Sequence, residues 1–199
     1  LKNASGILIP GGFGKRGTDG KIAAIKYSRE KKIPFLGICF GMQMAIIEFA
    51  RNVLNINKAS STELMNNCIP VVGLIHEWKK NGKIIKGTTI NLGGTMRLGS
   101  YDAILKDNSL IKKIYKKKLV KERHRHRYEV NINFKNKFEK KGLIFSGNSP
   151  DGKLPEIIEL KDHPWFVGVQ FHPEFKSRPL MPHPLFSSFI KAAKNQNNE

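Results

Sequence analysis

Cysteine is nearly absent: Cys39 and Cys68 are the only two in 199 residues. Two thiols cannot build a disulfide framework. Without a CxxC pair they cannot make a structural zinc site unless histidines join, so the chain reads as cytoplasmic, from a reducing compartment. Acidic side chains are also scarce, 16 Asp and Glu against 35 Lys and Arg, which leaves a formal net charge of +19. No apolar run approaches the roughly 18 residues that a membrane span needs. The opening Leu1-Lys2-Asn3-Ala4-Ser5 leads into no signal-peptide core and is no initiator methionine, so a piece of a longer polypeptide is expected. Hydrophobic residues reach 40%, enough at this length for one domain with a sizeable core.

The positive charge runs through both halves of the chain, and on composition alone it points to nucleic acid. The densest stretch, residues 111–127, holds nine Lys or Arg and one acid, Glu122. A strand-binding module interleaves such a stretch with stacking aromatics. Only Tyr115 and Tyr128 lie nearby, and no DNA- or RNA-binding motif is present. His124 and His126 have no further ligand spacing that suggests a metal. Most of the lysines therefore read as solvated surface; neither nucleic acid nor membrane is the expected partner, and no metal is expected.

What is present is α/β alternation. Residues 6–9 form an apolar run ended by Pro10-Gly11-Gly12-Phe13-Gly14, a strand feeding a glycine-rich turn. A helical pattern begins near Thr18, with Ile22 and Ile25 on one face, and residues 33–38 read as a buried strand. Residues 41–51 read as an amphipathic helix with Met42, Ala45, Ile46 and Phe49 inward. This order predicts an α/β fold: a three-layer domain with a mostly parallel central sheet and helices on both faces. Residues 71–75 read as a strand, 79–88 as a polar hairpin or loop, 93–99 as a mobile loop, and 108–120 as a helix. Short strands follow near 142–147, 157–160 and 166–171. A last helix spans 184–194, with Leu185, Phe189 and Ile190 inward.

Chemistry concentrates at Gly37-Ile38-Cys39-Phe40-Gly41, between a strand and a helix. Glycines two before and two after permit a sharp turn that aims the thiol out of the sheet's carboxyl edge at a helix N-terminus, where thiolate is favoured. The Phe40 N–H follows the nucleophile and is positioned to donate to an oxyanion; the glycines of the first loop can provide the second donor. A nucleophilic cysteine needs a base and an orienter. The segment Gln170-Phe171-His172-Pro173-Glu174 supplies His172 and Glu174 two residues apart, which an extended backbone would point the same way. An anion-binding role for the first loop ranks second, because Rossmann spacing and the Walker lysine are both missing.

PGGFG, GICFGMQ and QFHPE, in this order, resemble the class I (triad) glutamine amidotransferases. The resemblance implies hydrolysis of glutamine through a γ-glutamyl thioester, with Cys39 as nucleophile, His172 as base then acid, and Glu174 as orienter. Further segments, FGKRGTDGK, ASSTE, GGTMRLG and ERHRHRYEVN, are similar to the glutaminase domains of the CTP synthase family over nearly the whole chain. That likeness implies glutamine contacts at Gly12, at Phe40, Gly41, Met42 and Gln43, and at Glu63 and Arg127, with Gly11 as the upstream oxyanion donor beside Phe40. A lid would carry Thr95 and Arg97 and work with GTP as an allosteric activator. Glutamine presents an ammonium and a carboxylate, for which one acid and one base, Glu63 and Arg127, are suited.

Two departures stand out: Phe40 where the family more often has Leu, and Ser60 where it more often has Asn. The ATP-binding loop and the UTP site of the synthetase domain are missing. The expectation is thus a single glutamine amidotransferase domain over 1–199, incomplete at its N-terminus and needing no cofactor of its own. Its implied partner is a synthetase domain that uses ATP and Mg2+, in a full-length enzyme expected to be a homotetramer. Another class I amidotransferase, or a γ-glutamyl or cysteine peptidase on the same architecture, is the enzymatic alternative; a basic nucleic-acid-binding domain is the alternative of another class.

Overall fold

The computed structural model describes residues 1–74 and 96–196. The first half alternates strand and helix: β1 (Ile7–Ile9), α1 (Thr18–Lys31), β2 (Phe35–Ile38), α2 (Phe40–Asn52), β3 (Ala59–Ser61) and β4 (Ile69–Leu74). The second half runs β5 (Arg97–Leu105), α3 (Leu110–Tyr115), β6 (Leu119–His126), β7 (Tyr128–Val130), α4 (Lys135–Lys140), β8 (Leu143–Asn148), β9 (Pro155–Leu160), β10 (Phe166–Val169) and α5 (Pro184–Gln196).

Among the described residues a seven-stranded sheet runs in the order β1-β2-β10-β9-β8-β5-β6. β1 and β10 flank β2 in parallel, while the pairs from β10 outward to β6 are antiparallel. The parallel trio carries the loops after β1, β2 and β10, and their carboxyl ends are where ligands bind in open α/β sheets. A second sheet joins β3, β4 and β7. The helices divide between the faces: α1 and α2 pack with Ile25, Phe35, Met44 and Phe166, whereas Ile111 of α3 and Leu185 and Phe189 of α5 pack with Leu36, Ile38 and Val167.

Several expectations change. Helix α2 is not amphipathic: every residue from Phe40 to Ala50 is buried, between α1, the main sheet and the second sheet. Apolar residues all round mark such an enclosed helix, and its one acid, Glu48, pairs with Arg29 at 2.8 Å. The helix expected over 108–120 stops at Tyr115, because Lys116 turns left-handed at φ 55°; Leu119 already belongs to β6. Ile190 faces outward at 56% exposure, while Leu185 and Phe189 face in. The loop expected over 93–99 is strand from Arg97 onward; Thr95 and the segment 79–88 lie outside the described residues.

The charged run ERHRHRYE also divides. Its first part is β6, whose side chains alternate strictly: Glu122, His124 and His126 are buried and Lys121, Arg123 and Arg125 exposed. Tyr128 then starts β7 in the other sheet. Arg127 sits at this crossing between sheets.

Candidate active site

The turn after β2 is forced by two close approaches. A Cβ on Gly41 would lie 2.2 Å from the Ile9 carbonyl oxygen, and one on Gly37 would lie 2.8 Å from the Gly41 carbonyl carbon. No side chain larger than hydrogen fits at either place, so strand, helix and β1 pack backbone to backbone. Between them Cys39 is held at φ 49°, ψ −101°, a region that ordinary residues avoid and that strained functional turns use. Its N–H donates to Val169 O at 2.7 Å, which ties the elbow to the end of β10.

His172 stands beyond the end of β10, 8% exposed, its N–H donating to Arg123 O of β6 at 2.8 Å. Its Nδ1 lies 2.6 Å from Glu174 Oε1. The pairing is made differently from the extended-strand expectation: Pro173–Phe175 is a 3-10 turn, and the proline fixes the turn that brings the carboxylate back onto the ring. With Nδ1 engaged, Nε2 is buried and without a hydrogen-bond partner. Phe175 stacks on the imidazole at 4.7 Å between centroids and 10° between planes. From the other side the first loop closes in; a Cβ on Gly11 would stand 2.8 Å from His172 Cε1 and 3.8 Å from Cys39 Cβ.

These groups line one cleft of about 620 Å³, which Pro10, Gly11, Gly12, Cys39, His172 and Glu174 share with Gln43, Glu63, Arg125, His126, Arg127 and Tyr128. Glu63 Oε1 accepts from Gly14 N at 2.7 Å, so this acid also fixes the glycine loop. Its carboxyl is raised by burial. Gln43 donates from Nε2 to Tyr128 O at 2.9 Å and to Gln170 Oε1 at 3.3 Å. With both N–H groups committed, its side chain has Oε1 left to offer.

The thiolate expected at the helix N-terminus is not the resting form. Burial pushes the Cys39 thiol up to about 12; the Phe40 N–H pulls against this, while Glu129, Glu174 and Glu63 add to it. The Phe40 N–H does not outweigh desolvation, and the cysteine rests as a thiol.

Residues 1–192 match the family model of class-I glutamine amidotransferases. The chain belongs to that family. It is 79% identical over 195 residues to the CTP synthase of Pelagibacter ubique, covering 98% of this chain and 36% of that protein. It is 57% identical over 198 residues to the CTP synthase of Rhodospirillum rubrum, covering 99% and 36%. The chain thus spans little more than a third of the length of the curated relatives it matches. A solved glutaminase domain of Trypanosoma brucei CTPS, with bound acivicin, is similar at 38% identity and a TM-score of 0.85, covering 97% of this chain and 72% of that one. Within the class I glutamine amidotransferases, this chain is a glutaminase domain of the CTP synthase kind.

In this amidotransferase domain the sequence-expected residues fall into three groups. Cys39, His172, Glu174, Gly11, Gly12, Gln43, Glu63 and Arg127 all border the cleft. Phe40 and Met42 are buried with their side chains in the core, and Gly41 has none; what these three can present to glutamine is backbone. Arg97 is placed inside instead of on a lid. Its guanidinium lies 3.0 Å from Glu129 and 2.8 Å from Glu156, and it stacks 4.5 Å from the Tyr101 ring centroid. The sequence reading assigned nothing to Gln170, Tyr128, His126, Arg125 or Phe175. Gln170 and Phe175 adjoin the QFHPE motif, and the other three lie in the ERHRHRYEVN run, so the signal was position beside a motif with no chemistry attached.

Among the described residues no group of three His, Cys, Asp or Glu side chains could hold a metal ion, and no helix is long and apolar enough to cross a membrane.

Proposed function

We propose that this domain hydrolyses the side-chain amide of glutamine and delivers ammonia to a synthetase domain that makes CTP from UTP with ATP and Mg2+. The observation carrying this reading is that Cys39, the His172–Glu174 pair and the Gly11 loop meet in one cleft that an acid, Glu63, and a base, Arg127, also line.

In this reading glutamine enters with its α-ammonium toward Glu63 and its α-carboxylate toward Arg127. The Cys39 thiol passes its proton to His172 Nε2, the ring nitrogen left free by the Glu174 contact. Sulfur attacks the amide carbon, and the oxyanion accepts from the N–H groups of Phe40 and Gly11. His172 returns the proton to the departing nitrogen, ammonia leaves, and a γ-glutamyl thioester remains. Water, deprotonated by the same imidazole, attacks the thioester; glutamate is released and sulfur regains its proton. GTP would activate this step through the segment around Thr95, while Arg97 serves the buried carboxylates. The assembled enzyme would be a cytoplasmic homotetramer.

The test is alkylation by a glutamine-mimicking electrophile with peptide mass spectrometry. Label on Cys39, blocked by free glutamine, together with loss of glutamate release in Cys39→Ala, is expected. Label confined to Cys68 refutes the assignment, and cleavage of γ-glutamyl peptides without turnover of free glutamine would make the domain a peptidase.

A further inference from the structure

Gln170 lies between β10 and His172 with its side chain fully buried, and nothing in the chemistry above employs it. Its backbone N–H donates to Glu156 O at 2.9 Å, which fixes the chain there and leaves the amide to the interior. That amide bridges two groups: Oε1 accepts from Gln43 Nε2 at 3.3 Å, and Nε2 donates to Cys39 Sγ at 3.7 Å.

The direction of this bridge follows from its far end. Tyr128 O is a carbonyl and can only accept, so the Gln43 end within 2.9 Å of it must be the NH₂ group. The second hydrogen of that NH₂ points at Gln170, where only a carbonyl can answer. Gln170 is therefore turned with its own NH₂ toward sulfur. The opposite orientation would set two donors against each other and a carbonyl lone pair against the nucleophile. Two side-chain amides and one main-chain carbonyl thus form a chain of fixed polarity that ends as a donor on Cys39.

We propose that Gln170 is a catalytic residue that stabilises the Cys39 thiolate by donating to Sγ, with Gln43 and the Tyr128 carbonyl as the positioning groups that hold it in that sense. The proposal rests on Cys39 being the nucleophile. When the Sγ proton moves to His172 Nε2, negative charge appears in a buried place. The carboxylates around it, Glu63, Glu129 and Glu174, all oppose that charge. The cations that border the cleft, Arg125 and Arg127, and the imidazoles of His126 and His172 stand on its walls. Gln170 and the Phe40 N–H donate to the sulfur itself, and a donor to the charged form favours that form without bringing a charge of its own.

The test combines iodoacetamide labelling of Cys39, followed by peptide mass spectrometry from about pH 6 to about pH 10, with steady-state glutamine hydrolysis. A hydrogen bond to a charged group is worth about one to two pKa units. The thiolate that remains is more nucleophilic as its pKa rises, which recovers about half of the lost rate. In Gln170→Leu the Cys39 labelling rate is therefore expected to fall about three- to tenfold at each pH, with Cys68 labelling in the same sample unchanged. kcat should fall about tenfold or more with the KM for glutamine held within about threefold. Gln43→Leu should act in the same direction and by less. Should Gln170→Leu fail to fold, Gln170→Glu keeps the acceptor for Gln43 and, once ionised, loses the donor to sulfur, so the same fall is expected there. Unchanged Cys39 labelling and kcat in a folded Gln170 variant overturn the proposal. If glutamate release survives Cys39→Ala, the reading beneath it fails instead.

Discussion

Replacing Gly41 by alanine should damage both stability and catalysis, through one contact. The added Cβ would sit 2.2 Å from Ile9 O and 3.0 Å from Ile9 C. An ordinary carbon–oxygen contact is about 3.3 Å, so β1 and α2 must part by about 1 Å. The obstacle is backbone and has no rotamer to change, and β1 is held in register on β2 with Ile9 opposite Gly37. Overpacking of a core costs about 1–3 kcal/mol, and a backbone obstacle puts this case at about 3 kcal/mol. With a urea slope of about 3 kcal/mol per molar, the unfolding midpoint falls by about 1 M. Ile9 leads straight into Pro10 and Gly11, so the displacement carries into the loop beside His172. A misplacement of about 1 Å costs about a hundredfold in rate, and glutamate release should fall by that order. Gly20→Ala is the control: it lies in α1 with open space around its Cβ position, and alanine there should add about 0.5–1 kcal/mol. A Gly41→Ala midpoint within about 0.2 M of the parent, with activity within about twofold, refutes the argument.

Two further outcomes follow from the buried polar groups behind the cleft. Arg97→Met leaves the fully buried side chains of Glu129 and Glu156 facing each other without their cation. It should cost about 3–5 kcal/mol at pH 7, read by urea unfolding, and the loss should shrink in acid as a carboxyl protonates. Burial, aided by Arg97, lowers His124 to about 2 and His126 to about 3, so both are neutral in the folded chain, whereas an unfolded histidine titrates near about 6.5. As pH falls below that value the unfolded chain takes up two protons that the folded chain refuses. Stability conferred by the pair drops by about 2 kcal/mol between pH 6.5 and 5.5. In His126→Gln that part of the drop should be halved; Glu129 and Glu156, raised by burial, act in the opposite sense in both proteins. An identical pH profile in the two would contradict the neutral-histidine assignment.

The parts of the site legible in the sequence are those where geometry restricts residue type. Gly37 and Gly41 bracket Cys39 in a turn that admits no side chain at either glycine, and Pro173 sets the turn that returns Glu174 to His172. The parts that escaped depend on partners distant in sequence. Arg97 looked like a loop residue because Glu129 and Glu156, which hold it inside, are 32 and 59 positions away. The full burial of α2 comes from the second sheet, whose strands β3, β4 and β7 were not visible as a unit. Gln170 gave no sign, since an amide acquires direction only from what it touches. Cys39 was read as thiolate from the helix N-terminus alone; the competing desolvation belongs to the closed loop around it.

Among the described residues β6 lies last in the main sheet and forms its ladder with β5, while its Arg123 and Lys121 carbonyls accept from His172 N–H and Lys176 Nζ. A bare outer strand invites a second chain to continue the ladder, which is how sheets aggregate. Here the alternation that sends Glu122, His124 and His126 inward sends Lys121, Arg123 and Arg125 outward, so a second copy approaching this edge meets its own charge. The basic excess that on composition alone suggested a polyanionic partner thus acts, along this strand, as a guard against pairing with a second copy. The strand so guarded ends at His126, on the border of the cleft.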